Sequence, residues 1–437
     1  MSPGTTIRTP QILGADLATE ATGISTLFAI DDKRPRYVVK PSAVQEIVSV
    51  IEYAGAEKLA VVATGGRSKL EIGGTPARYD IALDVSGLDR IISYDPGDLT
   101  LSVEAGCRLS EANKTLAEHG QFLPLARPFA DRATVGGMIA SGIDSPLRQR
   151  YGTARDFVLG MEFVTGDGKL AKSGGRVVKN VTGYDLHKLM IGSLGTLGIL
   201  TRINFRTFPI PSESLALIAQ FNSLTPALEL CHRIVNSPLS PLTLDIRSSN
   251  GGWELVTGFA GSGAVKARYE RELLAMAHTC DARDSRILTK EEWQKTFQAV
   301  RDFVPSMLKA SPAVVIIKLG VVPRQMGAAC ESAAEIAEKA QLRWAAMARG
   351  VGVIYFVMSA ANQTEESKAA AVRAAAEIST ATTQLGGHST IPWAPSAWKD
   401  SLQIWGSPRP DLALMKKVKS IFDPLAILSP GRFVGGL

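Results

Sequence analysis

The sequence predicts an α+β chain in two main parts, on three observations. Through the first 210 residues, short β-rich runs follow one another between Gly, Pro and Asp turns, with few long helices. Pro209 and Pro211 then mark a break. Beyond them, strand-like runs alternate with helical ones, several too close together for crossover helices, which predicts an antiparallel sheet backed by helices. The expected organisation is a first domain over 1–210, an α/β second domain over 211–395, and a segment over 396–437. That last segment is too short to fold alone and is expected to pack back on an earlier domain.

The elements follow in order. YVVKP at 37–41 reads as a strand closed by proline. Ser42 then reads as an N-cap with Gln45 as its capping-box partner, and Val44, Ile47, Val48 and Ile51 recur at helical spacing, giving a helix over 43–57. LAVVA at 59–63 is a buried strand, followed by the glycine loop TGGRSKLEIGG. Strands are expected at 80–84, 90–94, 99–103, 157–165 and 199–208, with a helix at 109–119 closed by Gly120. In the second part, strands at 214–220, 242–247, 253–259, 312–320 and 352–359 alternate with helices near 225–236, 262–279, 324–340 and 366–384.

Composition narrows the function classes. The apolar share is 45% and the charged share 21%, enough for a sizeable core. No apolar stretch reaches the ~18 residues of a membrane span, and the longest, Ala313 to Val322, is broken by Lys318. The N-terminus lacks a signal-peptide pattern, so a cytoplasmic chain is expected. Cys107, Cys231, Cys280 and Cys330 form no CxxC pair, and no two of the five histidines lie within five residues, so no metal site is expected. The net charge of +6 is spread thinly, with Lys416, Lys417 and Lys419 read as a solvated helix face. No interleaved aromatic–basic pattern argues for nucleic acid.

Two stretches carry chemistry. In the loop from Thr64 to Gly74, consecutive glycines let backbone N–H groups turn toward an anion, with Ser68 and Lys69 adding a hydroxyl and a charge. It is not a P-loop, and a plain surface turn is the alternative. From Ala133 to Thr201, small residues dominate ATVGGMIASG and GSLGTLG, which lets backbone lie against a flat or phosphorylated ligand; tight packing alone is the alternative. The spacing is not a Rossmann fingerprint.

The segments TVGG, YGTARDFVLG, KN-x-x-GYDL and GSLGTLGI resemble the FAD-binding domain of the vanillyl-alcohol-oxidase/p-cresol-methylhydroxylase (PCMH) superfamily. Within it, the GG-x-SK loop and the SPGRF end at 429–433 are similar to the E-subunit family of bacterial glycolate oxidases. The resemblance is specific over about 37–210 and the last dozen residues. It implies a PCMH-type FAD-binding domain followed by a cap domain, with FAD between them. Gly65, Gly66, Arg67, Ser68 and Lys69 would surround the FAD diphosphate. Thr134, Gly136, Gly137 and Ser141 would line the diphosphate and flavin side. Gly195, Thr196 and Ile199 would meet the adenosine–ribityl region, and Arg432 would return near the flavin.

Arg67 stands where relatives often carry glycine. The loop has no histidine, so FAD is expected to be non-covalent. The paired-histidine metal motif of the superfamily's catalytic 2-hydroxy-acid dehydrogenases is missing, which counts against independent catalysis. The function implied is that of the FAD-binding subunit of a glycolate oxidase-like complex. It would oxidise a small 2-hydroxy acid by hydride transfer and pass electrons to a second flavoprotein subunit and an iron–sulfur subunit. Any contact with the inner membrane would run through those partners. A self-sufficient FAD-dependent hydroxy-acid or alcohol dehydrogenase and a non-catalytic, flavin-bearing assembly subunit are the alternatives. His388, in GGHSTIPW, is the candidate base or substrate donor, with an ordinary half-buried histidine as the competing reading. His187 is expected at the surface. Tyr184 and Asp185 are read as structural or catalytic, and Trp393, Trp398 and Trp405 as core or subunit interface.

Overall fold

The computed structural model describes residues 23–126, 128–176, 183–211, 214–249, 251–407 and 410–437. Lys179 and Asn180 of the KN-x-x-GYDL motif lie outside them.

Among the described residues the first part holds two main sheets and a two-stranded antiparallel pair, Gln121–Phe122 with Phe208–Pro209. Tyr37–Val39, Ile81–Asp84 and Val61–Thr64 form a parallel sheet in that order. Its strands are buried and apolar on both faces, as parallel strands are. Five antiparallel strands form the second sheet, in the order Ile91–Asp95, Thr100–Glu104, Ile199–Arg206, Val158–Val164 and Leu170–Gly174. The helix Val44–Ala56 packs Ile47, Val50, Ile51 and Ala54 inward. Its cap differs from the expectation. Glu46, not Gln45, accepts the Ser42 amide at 2.7 Å, and the N-cap position falls on Ala43.

The second part is an eight-stranded antiparallel sheet. Its order is Asp284–Ile287, Ser214–Phe221, Gly252–Ala260, Pro241–Ser249, Arg343–Arg349, Val353–Ser359, Val314–Gly320 and His388–Trp393. Helices Leu224–Val235, Gly263–Thr279, Met326–Lys339 and Glu365–Gln384 supply the core on one face, against Leu215, Leu217, Val315, Ile317 and Leu319. The alternate residues Val314 and Ile316 join a second core with Ile72 and Ile143 of the first part. Burial on both faces is why Ala313–Val322 is nearly uninterrupted apolar sequence rather than alternating. The sequence reading did not include strands Asp284–Ile287 and Arg343–Arg349, or helices Lys290–Arg301 and Phe303–Ala310. The first of these helices was signalled by a capping box between Thr289 and Glu292.

The chain end returns to the first part. Leu428 bridges Val61 in parallel, with the Val61 amide donating to the Ile427 carbonyl and the Ser429 amide to the Val61 carbonyl, each at 2.8 Å. Lys416 and Lys417 are solvated, but Lys419 is buried, correcting the reading of that face. Its ammonium donates to the Thr196 and Leu428 carbonyls at 2.7 and 2.8 Å and pairs with Asp423 at 2.7 Å.

A buried ion triad joins the two parts. Arg349, on the cap sheet, faces Asp144 of the first part at 2.6 Å and Asp245 on the neighbouring strand at 2.5 Å. Burial pushes the Asp245 carboxyl up to about 6 despite Arg349. Arg349→Leu would leave two desolvated carboxylates close together, so it should cost about 3–5 kcal/mol in urea unfolding at pH 8. The loss should shrink toward pH 5.5, because protonating either carboxyl in the folded state relieves the repulsion. An equal loss at both pH values would refute this account.

Candidate active site

Strand Val61–Thr64 runs directly into the glycine loop. At Gly66 a Cβ would overlap the Arg132 carbonyl oxygen, and at Gly65 it would overlap the Thr134 hydroxyl. Loop and neighbouring segment therefore approach at backbone distance. Arg67 has φ +52°, a left-handed conformation that explains why glycine suits this position. Its guanidinium is engaged by Asp84 at 3.1 Å and lies 4.5 Å from the Phe28 ring centroid. Opposite, the Thr134 hydroxyl caps helix Val135–Ser141 by accepting the Gly137 amide at 3.3 Å. Gly136 allows that helix to lie on Ala105.

Residues 65–69, Thr134, Gly136, Gly137, Ser141, Gly195, Ile199 and Arg432 line one narrow cleft of about 90 Å³. Thr196 does not line it. Its hydroxyl donates to the Ser193 carbonyl at 2.7 Å, and its own carbonyl is held by Lys419. Buried cations from the last forty residues hold the loop carbonyls. The Arg432 guanidinium donates to Leu70 and Ile72. Lys399 donates to Glu71 at 2.6 Å while paired with Asp31 at 2.8 Å. Desolvation pulls Arg432 down to about 10 and lowers Lys399 as well.

Ser141 also lines a second, larger cavity of about 630 Å³ between the two parts. Its wall on the cap side is polar. Lys318 lies directly across from Tyr355 on one neighbouring strand and Thr390 on the other. His388 lies across from Gly320, and a Cβ there would come within 2.5 Å of the imidazole. Lys318, Tyr355 and His388 thus face Ser141, Gly142 and Gly192. The sequence reading named His388 but assigned no role to Lys318 or Tyr355. Lys318 was visible as the one charge in the Ala313–Val322 run.

Other expected positions resolve differently. His187 is buried, not superficial, because its one-turn helix packs on strand Leu170–Gly174, where the ring meets the Ser173 hydroxyl at 3.1 Å. Tyr184 is 89% exposed, and Asp185 pairs with Lys188. Trp393 and Trp398 are core residues, whereas Trp405 lines the large cavity with a buried indole N–H that has no protein partner among the described residues. All four cysteines are buried and unpaired with one another. Among the described residues no group of three or more His, Cys, Asp or Glu side chains converges as a metal site, and no helix is long and apolar enough to cross a membrane.

Comparison with known proteins defines the class. An FAD-binding-domain family matches residues 35–174, and the C-terminal domain of FAD-linked oxidases matches 211–390 and 407–433. The fold is that of p-cresol methylhydroxylase, with a TM-score of 0.74 over 94% of this chain and 92% of that one at 16% identity. A 4-ethylphenol oxidase from Gulosibacter chungangensis gives a TM-score of 0.71 at 15% identity, covering 93% of this chain and 90% of that one. The fold and domain pair thus define an FAD-dependent oxidoreductase. The chain carries an FAD-binding domain followed by the C-terminal domain of FAD-linked oxidases.

Among its relatives, glycolate oxidase subunit GlcE of Escherichia coli (strain K12) is 38% identical over 233 residues, 53% of this chain and 64% of that protein. A D-lactate dehydrogenase of Archaeoglobus fulgidus is 30% identical over 244 residues, 56% of this chain and 54% of that protein. Both matches span less than two thirds of the relative's length. Glycolate oxidase subunit GlcD of Bacillus subtilis (strain 168) is 24% identical over 417 residues, 91% of this chain and 88% of that protein.

The residues present fit FAD. The cleft is walled by glycine backbone, carries Lys69 and Arg432, and contains a buried Arg432 Nε without a hydrogen-bond partner. Among the described residues no histidine, cysteine or tyrosine lines the cleft, in keeping with non-covalent FAD. Gly66→Asp must push the loop off Arg132. It should abolish FAD retention, read as the 450/280 nm ratio after purification, while far-ultraviolet circular dichroism stays native. Full flavin occupancy in that variant would show that the loop is misassigned.

Proposed function

We propose that this chain oxidises a small 2-hydroxy acid to the 2-oxo acid, acting at a CH–OH group as the FAD-bearing subunit of a glycolate oxidase-like complex. The single observation that carries the reading is the polar row of Lys318, Tyr355 and His388. It faces the first part across a cavity that shares Ser141 with the lining of the glycine-walled cleft. In this reading residues 65–69, Thr134, Gly136 and Gly137 hold the FAD diphosphate by backbone and Lys69, Gly195 and Ile199 line the adenosine–ribityl end, and Arg432 holds the loop. The first part, the cap and the C-terminal return act as one unit around that group. FAD, when bound, supplies the two-electron acceptor.

Lys318 pairs with the substrate carboxylate, an interaction that a low-dielectric cavity strengthens. His388 takes the hydroxyl proton as the C–H hydrogen leaves with its electron pair. Lys318 and the His388–Gly320 pair stand two residues apart along the strand, about 7 Å. Electrons then leave to partner subunits, a role supported by the subunit names of the relatives GlcE and GlcD. The polar row also favours a second reading, in which the chain turns over substrate alone.

The test is the visible spectrum of the purified chain before and after anaerobic glycolate or D-lactate. Bleaching is expected. His388→Asn should slow it by about 10²-fold or more, the usual worth of a general base, and Lys318→Met should raise the half-saturating concentration. A bound flavin that neither acid reduces, with or without partner subunits, would refute the reading.

A further inference from the structure

The glycine loop walls a third space, of about 460 Å³, besides the cleft. Among the described residues the two spaces share only residues 67–70. Arg132 lines this chamber and Thr134 the cleft. Between those two positions Gly66 packs on the Arg132 carbonyl, where a Cβ would overlap the oxygen, so backbone closes the boundary there. The opposite wall is built by Pro305, Leu308 and Lys309 of helix Phe303–Ala310, by Pro312 and Val314, and by Trp393. The volume falls in the range of small-molecule sites, about 300–1,000 Å³.

The wall has a cationic rim and an aromatic floor. Arg67 is paired with Asp84 at 3.1 Å, but Lys69, Arg132 and Lys309 stand against one lining carboxylate, Glu71, among the described residues. Arg132 and Lys309 are exposed, so they stand where the chamber meets solvent. Deeper in, the Phe129 and Trp393 rings lie 6.1 Å apart, with the Lys69 ammonium 5.9 Å from the Phe129 ring centroid. Phe129 holds φ +62°, a left-handed conformation that a side chain makes costly. Strain of this kind clusters at ligand sites, and Phe129 does not line the cleft.

We propose that this chamber binds a phosphomonoester joined to a flat ring, the chemistry of a nucleoside monophosphate. Arg132 and Lys309 take the doubly charged phosphate at the mouth through charge-assisted hydrogen bonds, and the ring packs on Leu308, Pro312 and the Phe129–Trp393 pair. The site is separate from the cleft, and it stands independently of the hydroxy-acid reading above.

The test is calorimetry on the full FAD-loaded chain, with AMP, adenosine and inorganic phosphate as probes. AMP should bind about ten- to a hundredfold more tightly than adenosine, the worth of charged hydrogen bonds to the phosphate, and more tightly than inorganic phosphate. Lys309→Gln and Arg132→Gln, both at exposed positions, should each weaken AMP binding about tenfold while the 450/280 nm ratio stays that of the native chain. Lys309→Gln lies on a cap helix, so it decides the matter even if Arg132→Gln disturbs the Gly66 contact. AMP binding no tighter than adenosine would overturn the proposal, as would inorganic phosphate binding as tightly as AMP, or AMP affinity that survives both variants. AMP binding seen only after FAD is stripped would place the nucleotide in the cleft and overturn it too. A chain that binds AMP through Lys309 but whose flavin no hydroxy acid reduces keeps the chamber and loses the hydroxy-acid reading.

Discussion

The site depends on backbone carbonyls that turn inward at two glycine-rich loops and must find donors there. Loops of this kind leave C=O groups outside any sheet or helix, and a buried carbonyl without a donor costs about 1–3 kcal/mol. In this chain the donors are cations from far along the sequence. Arg432 serves Leu70 and Ile72, Lys399 serves Glu71, and Lys419 serves Thr196. Each charge is itself buried, which disfavours its ionised form, and Asp31 and Asp423 offset this for the two lysines. The C-terminal return is thus structurally part of the cleft wall. It also adds Leu428 beside Val61, the strand that launches the first loop. A loop fixed in this way loses little conformational freedom when a ligand arrives, so more of the contact energy remains as affinity.

Much of the cleft was legible because glycine and small residues record close approach. The record is ambiguous about what approaches. Gly66 is required by the Arg132 carbonyl and Gly136 by Ala105, so part of the pattern encodes wall against wall rather than wall against ligand. Thr196 is the converse case, a motif residue whose hydroxyl serves its own turn. His187 was misplaced because a single helical turn carries too little periodicity to define its inner face. Lys318 was visible as a charge in an apolar run, but its meaning needed the strand register that sets it beside Tyr355 and Thr390. Nothing in the local sequence fixes which strands become neighbours, and so Tyr355 carried no signal.

The cap sheet has both faces buried, yet one of them must also present polar groups. The conflict is resolved by position along the strands. Val314 and Ile316 pack into the core shared with the first part, while Lys318 and Gly320, further along the same face, open onto the cavity. A cation in such a place cannot be fully hydrated and is costly unless matched. In the proposed reading, a substrate carboxylate adds a charge partner to Lys318, and the partly dry cavity strengthens that attraction.

The same reasoning links His388 to Gly320. Any side chain at position 320 would meet the imidazole, so the strand opposite must lack one for the ring to lie over the sheet. In its proposed role as base, His388 is carried by a strand rather than by a loop. Its distance from Lys318 is then set by the β repeat. In the proposed reading, a substrate is selected by how its carboxylate and hydroxyl fit between Lys318 and His388. Because the cap bears Lys318 and His388 and the first part bears the cleft, the Asp144–Arg349–Asp245 triad ties together the two parts that wall the cavity.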